Sequence, residues 1–259
     1  MLLEDRVAIV SGIGPGMGRD ISLALARNGA HVVLGARTKT RLDEVAAEVE
    51  ALGRRAVPVV TDIADEAQCD RLAATAHEQF GRIDILVNNA FYSPPFETLD
   101  VASLDTWRDS LEVNVLGNVR LTTAVVPYMK ARQRGSIVFI STMGTATVVP
   151  HLGVYHASKA GVLHAARHFA CELGAHGIRV NAVAPGYIMG AALQGWFRAQ
   201  AAERGCTYEE IAAERTAHTA LGHIPDSAEI ADTVVFFASD LARVVTGQVL
   251  HVDGGMIYH

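Results

Sequence analysis

Short runs of β-branched and aliphatic residues alternate along this chain with longer stretches whose apolar side chains recur every third and fourth position. The short runs, at residues 7–10, 32–36, 56–60, 85–88, 137–140, 179–184 and 249–252, have the length of strands. The longer stretches, at 19–28, 41–52, 66–80, 103–131, 155–173 and 229–238, have helical period. Alternation of this kind predicts βαβ units, whose right-handed crossovers build a parallel sheet covered on both faces. Several runs are apolar nearly throughout, as strands buried on both sides must be. The pattern therefore predicts an α/β fold: a doubly wound sheet of about seven parallel strands in three α/β/α layers.

One segment breaks the rhythm. Residues 190–224 are too long for an ordinary connection and carry Leu193, Trp196 and Phe197. They follow Pro185 and Gly186 at the carboxyl end of a strand, where open α/β sheets bind ligands, and so are expected to form a substrate lid. No Pro/Gly/Ser-rich linker or internal repeat interrupts the rest, so residues 1–259 read as a single domain.

Composition narrows the class without changing that picture. Half of the residues are apolar and the formal net charge is −6, with both signs interspersed. This lacks the basic footprint of a nucleic-acid binder. Cys69, Cys171 and Cys206 are odd in number and widely spaced, which fits reduced thiols. The chain enters an apolar strand without a basic or hydrophobic leader, and no apolar run reaches the roughly 18 residues that span a bilayer. A soluble, cytoplasmic protein is the expectation.

Candidate chemistry begins after the first strand. Ser11-Gly12-Ile13-Gly14-Pro15-Gly16-Met17-Gly18 leads into a helix. Glycines there let the backbone turn tightly and approach a pyrophosphate seated on the helix N-terminus. The second strand ends at Ala36 and Arg37, where a carboxylate would select an unphosphorylated ribose. A guanidinium at that place suits a 2′-phosphate, so NADP(H) is favoured. NAD(H) stays open, because the turn itself holds Pro15 rather than a second basic residue. Later, Tyr155 and Lys159 stand four apart at the start of a helical stretch and share one helix face. A neighbouring ammonium favours the phenolate and draws a tyrosine from its ordinary pKa near 10 toward working range.

Together these motifs resemble the short-chain dehydrogenase/reductase (SDR) family, and the resemblance runs end to end. It is carried by the glycine turn, Asp62, Asn88-Asn89-Ala90, Asn114-Val115-x-Gly117, Tyr155-x-x-x-Lys159, Arg179-Val180-Asn181, Pro185-Gly186 and Asp253-Gly254-Gly255. It implies a Rossmann-like fold and hydride transfer between a nicotinamide and an alcohol or ketone carbon. The resemblance would place Gly12, Gly16, Met17 and Gly18 on the pyrophosphate, with Ser11 opening the turn. Asp62 and Ile63 would hold the adenine edge, and Asn88 and Ala90 would support the adenosine side. Pro185, Gly186 and Ile188 would border the nicotinamide. Lys159 would grip the ribose hydroxyls, Asn114 would anchor a relaying water, and Tyr155 would exchange the proton. A homotetramer or homodimer is implied, with the Asp253-Gly254-Gly255 tail near a subunit contact.

Departures from the family pattern mark the substrate side. The serine expected thirteen residues before the tyrosine is replaced by Thr142, with Ser141 one position earlier, and either hydroxyl could meet the substrate oxygen. Phe91 and Tyr92 follow Ala90 where glycine is usual, and either line the pocket or pack beneath its loop. His151, Trp196 and Phe197 complete the candidate substrate set. His164 and His168 share a helix face, but no third ligand is evident, so no metal is expected. The reading is an oxidoreductase interconverting a secondary alcohol and a ketone on a compact apolar or cyclic small molecule. The alternative is reduction of 3-oxoacyl groups on a carrier protein, with Lys130, Arg132 and Arg134 near the pocket mouth meeting an acidic carrier. A silent nucleotide-sensing module would be expected to lose Tyr155 or Lys159, and a dehalogenase-like lyase to lose the lysine and the glycine turn.

Overall fold

The computed structural model describes residues 1–258. All seven expected strands form: β1 (Val7–Ser11), β2 (His31–Ala36), β3 (Ala56–Val60), β4 (Ile85–Asn88), β5 (Gly135–Ile140), β6 (Ile178–Pro185) and β7 (Val249–Val252). They make one parallel sheet in the order β3-β2-β1-β4-β5-β6-β7. The helices are α1 (Met17–Arg27), α2 (Lys39–Ala51), α3 (Glu66–Phe80), α4 (Leu104–Leu111), α5 (Asn118–Ala131), α6 (Gly153–Leu173), α7 (Ala191–Arg204), α8 (Tyr208–Thr216) and α9 (Ser227–Ala238).

Strand alternation sorts the core into two layers. Ala8 and Val10 of β1 face α1, α2 and α9 through Ile21, Leu42 and Ile230. Val7 and Ile9 face the other way, into Leu72 of α3, Leu121 of α5 and Val162 of α6. The three-layer Rossmann-like expectation is met.

Two elements differ from expectation. The stretch at 103–131 is not one helix, because a π turn at Glu112–Gly117 separates α4 from α5. The Asn118 side-chain amide donates to the Val113 and Asn114 carbonyls at 3.3 and 3.0 Å, taking up acceptors within the widened turn. The segment 190–224, outside the expected helices, contains α7 and α8 with a small apolar cluster of its own: Phe197, Ala201, Ile211 and Ile224. Thr207 and Asp226 start α8 and α9 with capping boxes. Among the described residues no helix is long and apolar enough to cross a membrane.

Candidate active site

The strand order reverses between β1 and β4, and a crevice opens at their carboxyl ends, as doubly wound sheets require. A cleft of about 230 Å³ lies there, bounded by Gly12, Gly14, Arg37, Asp62, Asn89 and Tyr92. Gly12 has φ +79°, and a Cβ on it would come within 2.5 Å of the Ala90 Cα. A Cβ on Gly18 would overlap the Gly12 carbonyl oxygen, so α1 packs directly against the turn. Gly14 and Gly16 by contrast face open space, and Gly16 starts α1 without any side-chain cap. The helix N–H groups are thus left for an anionic ligand, and the cradle fits the pyrophosphate of a dinucleotide. Gly18→Ala should destabilise the protein by about 2–4 kcal/mol and abolish dinucleotide binding, measurable by denaturant unfolding and cofactor titration.

The structure sorts the remaining cofactor candidates into cleft and support. Arg37 lies exposed at the rim and makes no ion pair with a described residue. Asp62 is fixed by its own turn, accepting from the Ala64 N–H at 3.0 Å, and Ile63 is buried beneath it against Gly117. The Ser11 side chain lies under the cleft, not in it: its hydroxyl donates to the Val87 carbonyl and accepts from the Asn89 and Ala90 N–H groups. Asn88 is likewise buried and donates to Thr122 Oγ1 at 2.9 Å. Asn89, named in the sequence only as part of a motif and given no role, does the clamping. Its amide donates to the Ser11 and Gly12 carbonyls at 3.2 and 2.8 Å. The signal was the second asparagine of the pair, one residue beyond the strand.

Tyr155 and Lys159 sit on the first turns of α6. Lys159 is 2% exposed, and its Nζ donates to the Ile140 carbonyl at 2.8 Å, tying α6 to the end of β5. Its Nζ stands 5.9 Å from the centre of the Tyr155 ring and 5.6 Å from that of Phe91. The expected lowering of the Tyr155 pKa by its neighbour is not met here: burial pushes the Tyr155 hydroxyl up to about 12 and draws the Lys159 ammonium down to about 8, since each charged form is poorly solvated. Thr142 is half-buried at the end of β5, its hydroxyl accepting from the Gly144 N–H at 3.2 Å. Ser141 points into the protein, with a buried hydroxyl that has no protein partner. The turn after Thr142 packs on α6 because the His156 ring lies over Gly144, where a Cβ would collide with it.

The Asn114 side chain, fully buried in the π turn, grips the loop beside this pair. Its Oδ1 accepts from the Tyr92 N–H at 2.7 Å, and its Nδ2 donates to the Tyr92 carbonyl at 3.0 Å and to Ser158 Oγ at 3.0 Å. Ser158 in turn donates to the Tyr155 carbonyl at 2.7 Å. Ser158 therefore links Asn114 to the helix start, a role that Tyr-x-x-x-Lys spacing does not announce. Asn114 thus anchors the Tyr92 backbone and α6 through these contacts.

The substrate candidates separate as well. Phe91 is 56% exposed and its ring lies 6.2 Å from that of Tyr155, so it faces the site. Tyr92 lines the cleft. His151 is exposed, in the left-handed backbone region at φ +66°, and its carbonyl accepts from the Glu97 N–H. Phe197 leaves the set: it is 0% exposed and packs inside the α7–α8 cluster against Tyr208, because this short helical pair needs an apolar core. Trp196 stacks on Tyr187 at 6.3 Å with the Arg215 guanidinium 5.0 Å from its ring centre.

Pro185 ends β6, and Gly186 follows it with its N–H donating to the Val252 carbonyl. A Cβ on Gly186 would press on Asp253, whose carboxylate accepts from the Gly255 and Ile257 N–H groups. The Asp253-Gly254-Gly255 turn thus braces the loop after β6, and Ile188 anchors that loop in the core. Lys130, Arg132 and Arg134, expected at the pocket mouth, are corrected to the opposite edge. They precede β5, whose far end carries Thr142. His164 and His168 meet edge to face at 5.1 Å, and no group of three or more metal-ligating side chains forms among the described residues.

Comparison with known proteins agrees with this geometry. A family model described as enoyl-(acyl carrier protein) reductase matches residues 12–257. The chain is 35% identical to a 3-oxoacyl-[acyl-carrier-protein] reductase of Thermotoga maritima, covering 99% of this chain and 100% of that one. It is 34% identical to a cis-4-hydroxycyclohexanecarboxylate dehydrogenase of Sinomonas cyclohexanicum, covering 97% and 96%. Among solved structures it resembles carveol dehydrogenase from Mycobacterium avium in complex with NAD, with a TM-score of 0.90, 31% identity and 98% of each chain covered.

Proposed function

Because the chain belongs to the short-chain dehydrogenase/reductase family, oxidoreductases acting on hydroxyl and carbonyl groups, we propose that it interconverts a secondary alcohol and a ketone with NADP(H). The substrate we propose is a compact apolar or cyclic molecule. The observation that carries the reading is the buried Lys159 ammonium, held by the Ile140 carbonyl beside the Tyr155 ring at the cofactor edge of the sheet. A buried cation next to a phenol is costly to stability, and groups perturbed in this way cluster at functional sites.

The dinucleotide, when bound, supplies or accepts the hydride. Tyr155 gives its proton to the carbonyl oxygen during reduction and takes it from the alcohol during oxidation. Lys159 favours the phenolate form of Tyr155 and offers donors to a ribose hydroxyl. Thr142 holds the substrate oxygen; its half-buried hydroxyl supports that role over the enclosed Ser141. Asn114 positions α6 and the Tyr92 loop through the bonds already described, and Phe91 gives the site an apolar wall next to Tyr155. The α7–α8 unit, with Trp196 stacked on Tyr187 after β6, serves as the lid over residues 190–224. A homotetramer or homodimer in the cytoplasm completes the reading, supported by apolar side chains left exposed along α4, such as Leu104.

Incubation of the protein and NADPH with a panel of cyclic and acyclic ketones, followed through the absorbance of reduced nicotinamide, tests this directly. Saturable oxidation of NADPH by cyclic ketones is expected, and no turnover of any ketone or secondary alcohol with either cofactor would overturn it. Arg37→Ala should weaken NADPH about ten- to a hundredfold while leaving NADH within about twofold, because only the 2′-phosphate loses a charge-assisted partner. Equal losses in fluorescence titrations would remove the NADP(H) preference.

Reduction of carrier-bound 3-oxoacyl groups is the second reading, favoured by the likeness to the Thermotoga maritima reductase. Against it, the basic residues meant to meet an acidic carrier stand at the far edge of the same sheet, where Arg134 is paired with Asp240 at 2.8 Å.

A further inference from the structure

The amino-terminal edge of the sheet carries a second cavity, which the proposed reaction does not use. It encloses about 410 Å³ between the entries of β1, β4, β5, β6 and β7. Arg6, Arg134, Arg179 and Arg243 line it, with Asp84 and Asp240 as the acidic side chains. The six residues of β5 set it roughly 20 Å from Thr142, so it is distinct from the cofactor cleft.

Charge matching in this cavity is incomplete. Asp84 is already engaged by Arg82, which forks onto both of its oxygens at 2.7 and 2.6 Å, and by the Val7 N–H at 2.9 Å. Asp240 is shared between Arg6 at 2.6 Å and Arg134 at 2.8 Å. Arg179 and Arg243 have no carboxylate partner within ion-pair distance among the described residues. Arg179 donates one Nη2 bond to the Ser239 carbonyl at 3.1 Å, while its Nη1 is buried with no partner. Its burial, together with the nearby charges of Arg6 and Arg134, holds its pKa below the ordinary arginine value despite Asp240. In a chain of net charge −6 this is a local island of at least two unmatched positive charges.

We propose that this cavity is a binding site for a small phosphate-bearing anion, held between the Arg179 and Arg243 guanidiniums. Three features of the site favour that ligand. Arg179 is half-buried at the cavity wall with no carboxylate within ion-pair distance, and a partly desolvated charge without a counter-ion is costly. Planar guanidiniums match phosphate oxygens in paired geometry, and two unmatched charges suit a dianion better than a single carboxylate. A volume near 410 Å³ lies in the range of small-molecule sites.

Inorganic pyrophosphate is the probe, titrated by calorimetry into protein saturated with NADP+ so that the glycine turn is already filled. Saturable binding is expected, weakened about tenfold or more in Arg243→Gln at constant ionic strength, while Arg134→Gln, whose charge Asp240 already matches, stays within about threefold. Both changed side chains lie toward solvent, so both variants should fold with unaltered melting temperature. Absence of saturable heat with the cofactor-loaded wild type would overturn the site, as would affinity unchanged in Arg243→Gln or lost equally in Arg134→Gln.

Discussion

Tyr155→Phe is expected to lower kcat by about a hundred- to ten-thousandfold while leaving cofactor affinity within about twofold. The substitution keeps the ring that packs 6.2 Å from Phe91 and 5.8 Å from His156, and removes only the hydroxyl. Loss of stability is therefore small, and loss of rate reports the proton. The pH dependence follows from the same group. Burial alone holds Tyr155 near 12, so the hydroxyl is protonated across the neutral range. Reduction uses that protonated form, so its rate should stay flat through neutrality and fall only as pH rises through the operative pKa. Oxidation needs the phenolate, so its kcat/KM should climb about tenfold per pH unit below that pKa. Steady-state profiles in both directions would show the two opposite limbs. A Tyr155→Phe enzyme within about tenfold of wild type would sink the assignment.

Lys159→Met should move activity and stability in opposite directions. Turnover is expected to fall about a hundredfold or more, with the oxidation limb displaced upward because the phenolate loses its neighbouring ammonium. The apoprotein, however, should melt about 2–4 °C higher. Burial lowers Lys159 from 10.5 to about 8, so the unfolded chain binds the extra proton between these values and stability rises with pH across that window. Below about pH 8 the full penalty stands, about 3 kcal/mol at 1.36 kcal/mol per unit. Methionine removes it at the cost of the bond to the Ile140 carbonyl, about 1–2 kcal/mol. Calorimetry and kcat on one preparation decide the matter: a lower melting temperature would mean that the ammonium is not strained in the resting protein.

The two predictions share a physical origin. A site that keeps a lysine dry next to a phenol gives up stability to place charge where a proton must move. The Asn114–Ser158 linkage holds the start of α6 in place for this purpose, at a position where the helix before it widens into a π turn.

Much of this protein was decided locally, and the sequence alone determined it. Strand and helix periods specify side-chain alternation on each element, which is why seven strands and three layers are legible in the chain itself. Spacing on one helix puts Tyr155 and Lys159 on one face, and glycines at fixed offsets specify the tight turn under the cofactor cleft. What only the tertiary structure decided lies where distant segments meet. Asn89 clamps Gly12 because β4 lies beside β1, and Asp253 braces Gly186 because β7 lies beside β6. Phe197 is buried because α7 and α8 need a core of their own, although its place beside Trp196 resembled a lid contact. Residues from Arg6 to Arg243 converge on one cavity because parallel strands bring all their entries to a single edge. Local periodicity sets which face a side chain takes, but strand order, a property of the whole chain, sets its neighbour.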